Sequence, residues 1–240
     1  MKRLLLLFAL ECHALTLPSL NNPAIWNAHE SWEIKKAGTI AFRYSEPFES
    51  FHNGKLDVAW SDGRFLTAAG FGSSVLDSVY RELEFSGSLG FRLFNFLSFE
   101  LSETANISWI PENSSWQEHK ILAGTNFYYR DWAKISFSQK TYLASKTPVD
   151  FSWLLACELN FNSLYSFGAE LPVKERNKSD FLLYQKIVLG YFGIYNSFTY
   201  PGPVLGFGFT LSVSHFSISA GHLRAGYPNG HTGYIGRWRL

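Results

Sequence analysis

Cysteine, charged side chains and long apolar runs are all scarce in this 240-residue chain, and each scarcity excludes a class of protein. Its 2 cysteines are too few for the disulfide framework of a small secreted domain. Lys and Arg (21 together) balance Asp and Glu (20 together), so the chain lacks the basic surface of a nucleic-acid-binding protein. No uninterrupted apolar run reaches the ~18 residues that a transmembrane helix needs.

Aromatic residues are the abundant class, since they make up 18% of the chain and include 22 Phe and 12 Tyr. Aromatic side chains favour pleated strands, and membrane barrels concentrate them in girdles at the two interfaces. The mean hydropathy is −0.06, because polar and apolar residues are present in balance. The composition therefore predicts an all-β protein.

The clearest pattern is the alternation over residues 97–109, which read LSFELSETANISW. Successive side chains of a strand point to opposite faces, so this strand has one apolar face and one polar face. It is longer than the ~9–11 tilted residues that cross a bilayer. The pattern predicts that Phe99 and Leu101 contact lipid and that Ser98, Glu100 and Ser102 line a lumen.

Similar segments follow one another from residue 38 to the end of the sequence, joined by short polar turns. Residues 181–195 read as one long strand with weaker alternation. Because an open sheet in lipid leaves edge groups unpaired, only a closed sheet is stable there. We therefore predict a closed antiparallel transmembrane β-barrel of about 12 strands (range about 10–14), since bacterial barrels have even strand numbers. The alternative is a soluble β-sandwich.

The N-terminal residues differ from the rest of the chain. Lys2 and Arg3 precede an apolar run over residues 4–10, and Cys12-His13-Ala14 resembles a cleavage site, which predicts a signal peptide over residues 1–14. Residues 15–37 lack strand alternation and are predicted to be a leader or plug segment. The barrel then occupies residues 38–240, and the predicted location is the outer membrane.

The chain beyond the signal peptide resembles a Gram-negative outer-membrane β-barrel. The segment Asn21-Asn22-Pro23-Ala24 is similar to a motif near the mature N-terminus of the long-chain fatty-acid transporter group and its relatives in type IX secretion. That similarity implies a plug at residues 15–37 and a hydrophobic cargo. The last strand, with Tyr234, Trp238 and Leu240, resembles the strand that the barrel-assembly machinery recognises.

Charged residues on the polar parity are the candidate lumen side chains, and they include Lys134, Lys140 and Glu158 beside Glu100. One interpretation is a selectivity ring. The other is a lumen filled by salt-bridged side chains, as in small barrels. Because both signs of charge occur, we favour the second interpretation.

His215 and Ser217 form the one pair with catalytic character, because a histidine can activate a hydroxyl two residues away on a strand. The pair resembles the His-x-Ser of the outer-membrane lipid A deacylase. That enzyme has Asn where this chain has Ile218, and no Asp or Glu follows Ser217 to orient the histidine. We therefore predict no catalytic site.

His215, His222 and His231 lack the close pairing of metal ligands, so neither a metal site nor a cofactor is predicted.

Three functions are consistent with the sequence. The first is a non-enzymatic outer-membrane barrel, acting as a small transporter, a channel or a structural component of an envelope complex. Its partners would be outer-membrane lipid, the assembly machinery, and a hydrophobic small molecule or an envelope protein. The second is an outer-membrane lipid-modifying hydrolase. The third is a soluble secreted β-sheet protein that binds glycans.

Overall fold

The structure is a computed structural model. The residues that it describes are 36–48, 51–77, 79–110, 115–130, 132–144, 147–161, 164–174, 181–200, 204–224 and 230–239. The predicted signal peptide and most of the predicted leader segment lie outside these residues. The first strand begins at Lys36, two residues before the predicted start of the barrel.

Every regular element of the described chain is a β-strand, and the strands are 9 to 15 residues long. They are β1 (Lys36–Phe48), β2 (Phe51–Asp62), β3 (Phe65–Leu76), β4 (Tyr80–Phe94), β5 (Leu97–Trp109), β6 (Trp116–Tyr129), β7 (Ala133–Ala144), β8 (Thr147–Asn160), β9 (Tyr165–Lys174), β10 (Phe181–Leu189), β11 (Phe192–Tyr200), β12 (Val204–Val213), β13 (Phe216–Arg224) and β14 (Gly230–Arg239).

The strands form a single closed barrel in which each strand pairs with its neighbours in the sequence. Closure is made by β1 and β14, which run antiparallel with Ile40 opposite Trp238 and Phe42 opposite Gly236. All edges are thereby paired, which confirms the predicted closed antiparallel barrel. The two-sheet sandwich alternative is wrong.

The predicted number of strands is wrong, because the barrel has 14 strands and not about 12. Residues 181–195 contain a turn at Gly190 and Tyr191 that separates β10 from β11. Gly190 has a φ of 62°, a left-handed conformation that glycine adopts without a steric penalty. The turn was missed because Leu189 and Phe192, which pair directly across it, continue the apolar composition of both strands.

Burial alternates along the strands and gives the barrel two different surfaces. The outer surface exposes large apolar side chains, among them Leu89 at 63% and Phe192 at 59%. Phe99 and Leu101, which the sequence assigns to the lipid face, are 43% and 52% exposed. A soluble monomer rarely exposes so many large apolar side chains on one continuous surface, so the outer surface is suited to contact with lipid.

Among the described residues, no helix has the length and apolar character needed to cross a membrane.

The two ends of the barrel differ in their connections. At one end, called the tight-turn end, the connections are short, and the longest of them is residues 161–164. There, the Asp62 carboxylate accepts hydrogen bonds from the backbone N–H groups of Arg64 (2.8 Å) and Phe65 (2.7 Å), which fixes the β2–β3 turn. The opposite end, called the loop end, has the longer connections 110–115 and 175–180. Lys36 pairs with Asp62, so the chain enters β1 at the tight-turn end.

Candidate functional site: the inner face of the barrel

The inner face consists mainly of small polar and glycine residues. On β12, for example, the inward positions are Gly206, Gly208, Thr210 and Ser212. Barrels of about 8 strands are filled by their own side chains, whereas those of 16–18 strands leave an aqueous channel. The barrel of 14 strands lies between these two sizes.

The predicted lumen residues of β5 lie on the buried parity of that strand. Ser98 is 0% exposed and Glu100 is 5% exposed, while Ser102 is half-buried. The Ser98 hydroxyl donates to the Tyr128 hydroxyl (3.3 Å) and accepts from the Asn126 amide (3.4 Å). That these residues line a conducting path stays a prediction.

Two inward-facing cations lie over the ring of Tyr128 on β6. The Arg92 guanidinium lies 5.0 Å from the centroid of the Tyr128 ring, and the Lys134 ammonium lies 5.9 Å from it. A cation above an aromatic face is attracted by the ring quadrupole. Three strands thereby contribute to one basic and aromatic cluster, of which the sequence identified only Lys134.

The other two predicted lumen charges have separate surroundings. Lys140 lies 5.2 Å from the ring of Tyr142 on its own strand. Glu158 is opposite Lys134 in the β7–β8 register and accepts a hydrogen bond from the Tyr184 hydroxyl (3.4 Å). Lys134 and Glu158 are therefore neighbours, whereas Lys140 lies further along the barrel wall.

An ion-pair network that the sequence did not reveal crosses β1, β2 and β4. Asp57 bridges the Arg43 guanidinium (3.2 Å) and the Lys55 ammonium (3.5 Å), and Lys55 also contacts Glu84 (2.5 Å). Asp57 and Lys55 are 3% and 7% exposed, so the network is largely shielded from solvent. Alternation shows that these residues share the inner face, but only the register brings them within contact distance.

A second polar cluster lies near the loop end. Glu82 accepts hydrogen bonds from the hydroxyls of Tyr80 (2.5 Å) and Ser108 (3.0 Å), and the Tyr80 ring packs against Trp116 with centroids 6.1 Å apart. Trp116 shares the inward parity of β6 with the buried Leu122. Trp116 therefore lies on the inner face of the barrel.

His215 and Ser217 do not share a strand face. Ser214 (φ 53°) and His215 form the turn between β12 and β13, whereas Ser217 lies in β13 opposite Ser212. Within the described chain, no hydrogen bond joins the two side chains. The geometry gives no support to the hydrolase alternative.

His222 lies on the outer face, where its Nδ1 contacts the Thr232 hydroxyl (3.0 Å), and the side chain of His231 lies outside the described residues. Among the residues that the structure describes, no group of three His, Cys, Asp or Glu side chains is placed to hold a metal ion.

Comparison with known proteins gives matches in structure alone, since no family model and no curated protein matches this sequence. The barrel is similar to the outer membrane protein Omp33 of Acinetobacter baumannii, with a TM-score of 0.59, 9% identity and coverage of 86% of this chain and 99% of that chain. It is also similar to the KdgM porin, with a TM-score of 0.53, 10% identity and coverage of 84% and 99%. A KdgM porin in complex with disordered oligogalacturonate gives a TM-score of 0.51, 11% identity and the same coverages.

These matches do not show the predicted similarity to the fatty-acid transporter group, whose motif at residues 21–24 lies outside the described residues. At identities of 9 to 11%, the matches establish the fold and not the function. This chain has the closed β-barrel fold of the porins.

Proposed function

We propose that this protein is a non-enzymatic outer-membrane channel through which small polar solutes diffuse. The observation that carries the proposal is the inner face, where short polar and glycine residues surround the axis of a closed barrel of 14 strands. Such a wall offers hydrogen bonds to water and to polar solutes.

Three observations support the outer membrane as the location. The outer surface is apolar, the strand number is even, and the resemblance in fold is to outer-membrane porins. Outer-membrane barrels have short periplasmic turns and longer extracellular loops. We therefore place the tight-turn end in the periplasm and the loop end outside the cell.

The chemistry of the wall favours polar cargo over hydrophobic cargo. The cations around Tyr128, which are half-buried, would have to be desolvated by an apolar molecule that passed them, at a high free-energy cost. A polar solute replaces part of their hydration instead. The oligogalacturonate of the KdgM complex is a solute held by a protein of the same fold.

Planar-bilayer recording of the refolded protein tests the proposal. We expect discrete single-channel conductance, and we expect Ser102→Arg to lower it because the new side chain extends into the lumen. The matched control is Ser73→Arg, since Ser73 lies on the outward parity of β3 beside the buried, inward Ser74, and close to the loop end, where an outer-face arginine costs only ~0–1 kcal/mol. A protein that is folded in the bilayer but does not conduct would overturn the channel.

A further inference from the structure

Acidic residues are absent from one side of the barrel. Residues 181–240, which contain the strands β10–β14, include no Asp or Glu. These strands are neighbours in the closed sheet, and together they are called the acid-free wall. The inner-face Asp and Glu residues of the described chain all lie on β2–β9, from Asp57 to Glu170. The acidic charge of the lumen is therefore confined to the other side of the barrel.

The acid-free wall carries cations on its inner face at the tight-turn end. Arg237 and Arg239 lie on the inward parity of β14, and both are half-buried. The backbone N–H of Arg239 donates to the carbonyl of His215 (2.8 Å) in the β12–β13 turn, which places both arginines at that end. On β10, the Lys186 ammonium lies 5.8 Å from the centroid of the Tyr195 ring, close to the β10–β11 turn. Cations therefore lie at both flanks of this wall.

The strands adjacent to Arg237 place no carboxylate beside it. Arg237 pairs with Ser217 on β13 and with Ala41 on β1. In the register, the first inner-face carboxylate beyond Ala41 is Asp57, which is two strands away from Arg237. Asp57 belongs to a network in which two cations already face two carboxylates. The charge of Arg237 is therefore in excess of the acidic charge on this part of the inner face.

The other flank of the wall is closer to acidic residues. Lys186 pairs with Ser166 on β9, the strand that carries Glu170, and Glu158 lies on the next strand. Between the two flanks, the described inward side chains of β11, β12 and β13 are uncharged, and most are glycine, serine or threonine. The excess of positive charge therefore lies on the β14 side, beside a surface of hydroxyl groups.

We infer that the acid-free wall attracts small anions and makes the channel selective for them. Charged side chains that line a pore set the sign of the ions that pass. A guanidinium offers several N–H donors to an anionic oxygen, and β14 presents two guanidinium groups on the same face. The inference rests on the proposed function and deepens it, because it narrows the polar solutes to anionic ones.

Reversal potentials across a gradient of dilute potassium chloride test the selectivity, because low salt preserves the field of the wall. A unit charge ~10 Å away in water changes the local concentration of a monovalent ion roughly twofold. We expect chloride to be roughly threefold more permeant than potassium, and we expect Arg237→Gln to lower this ratio roughly twofold. Arg237→Lys keeps the charge and is expected to keep the ratio. Heat-modifiable migration establishes that each variant is folded.

The matched control for the loss of charge is Arg64→Gln. Arg64 is an exposed residue of the β2–β3 turn, also at the tight-turn end, and its guanidinium lies 5.6 Å from the ring of Phe91. Phe91 is on the outward parity of β4, so the charge of Arg64 lies outside the lumen. We expect Arg64→Gln to leave the permeability ratio unchanged.

Thiol labelling measures the attraction of anions without requiring conduction. In a background with Cys12→Ser and Cys157→Ser, Ser217→Cys lies opposite Arg237, and Ser86→Cys is the matched inner-face control on β4. Both serines are half-buried. Each variant is treated with an anionic and a cationic methanethiosulfonate of similar size. We expect the ratio of the anionic to the cationic rate to be roughly fourfold higher at Ser217→Cys than at Ser86→Cys.

The outcomes separate this inference from the proposed function. A conducting protein that prefers potassium, or whose permeability ratio falls equally in Arg237→Gln and Arg237→Lys, overturns the inference and leaves the channel. Equal labelling ratios at the two cysteines overturn the inference as well. A folded protein that does not conduct removes the channel and its selectivity, and the labelling ratio then decides whether the wall attracts anions.

Discussion

Replacing Asp57 with asparagine is expected to destabilise the barrel strongly. Asp57 is 3% exposed and bridges Arg43 and Lys55, so Asp57→Asn leaves two shielded cations without their shared carboxylate. Breaking a buried ion pair by removing one partner costs ~3–5 kcal/mol. Because Lys55 retains Glu84, we expect the lower end of that range, about 3 kcal/mol in the free energy of unfolding. Urea titration in lipid vesicles, followed by tryptophan fluorescence, measures it.

Two further variants control this measurement. Asp77→Asn makes the same chemical change at an exposed turn residue with a φ of 43°, which asparagine tolerates, and it is expected to cost less than about 0.5 kcal/mol. Adding Arg43→Gln to Asp57→Asn removes a cation that has lost the Asp57 carboxylate and is expected to recover at least about 1 kcal/mol. A loss below about 1 kcal/mol for Asp57→Asn would show that the network is hydrated and screened like a surface pair, which refutes the reasoning.

The remaining predictions concern packing, the two faces and the missed turn. Gly168→Ala places a Cβ against the ring of Tyr184, so the ring must move. The unfolding free energy is expected to fall by ~1–3 kcal/mol, and an unchanged value would contradict this prediction. Phe99→Arg on the outer face is expected to lower the folding yield in vesicles, because an arginine that faces lipid destabilises a barrel by up to ~2–4 kcal/mol at the bilayer midplane. Ser102→Arg on the inner face is expected to leave the folding yield unaltered. Equal yields of the two would contradict the assignment of the faces. Gly190→Ala is expected to lower the unfolding free energy in a urea titration by ~1–2 kcal/mol, because a φ of 62° strains a residue with a Cβ. An unchanged unfolding free energy would show that the β10–β11 turn does not require this conformation.

The two faces of the wall could be predicted from the sequence, because the strand period of two is a local property. Alternation over residues 97–109 separates Phe99 and Leu101, which are exposed, from Glu100, which is buried. The strand count could not be predicted in the same way. The β10–β11 turn depends on the positive φ of Gly190, and glycine at that position is equally compatible with a continuous strand.

The contacts of the inner face required the register. Arg43 and Asp57 are separated by a turn and most of a strand, and a shift of one residue in the β1–β2 pairing would place them on opposite faces. Lys134 and Glu158 could be assigned to the polar parity from the sequence. Their position opposite each other follows only from the β7–β8 pairing.

The sequence by itself determined the class of fold, because hydrophobic alternation along each strand decides which side meets lipid and which meets the lumen. Tertiary structure decided the number of strands, their closure through β1 and β14, and the residues that meet across the wall. The physical reason is the distance along the sequence over which each property is decided. The face that a side chain occupies depends on its immediate neighbours in sequence, whereas the ion pairs depend on the hydrogen-bonded register between strands, which only the closed barrel fixes.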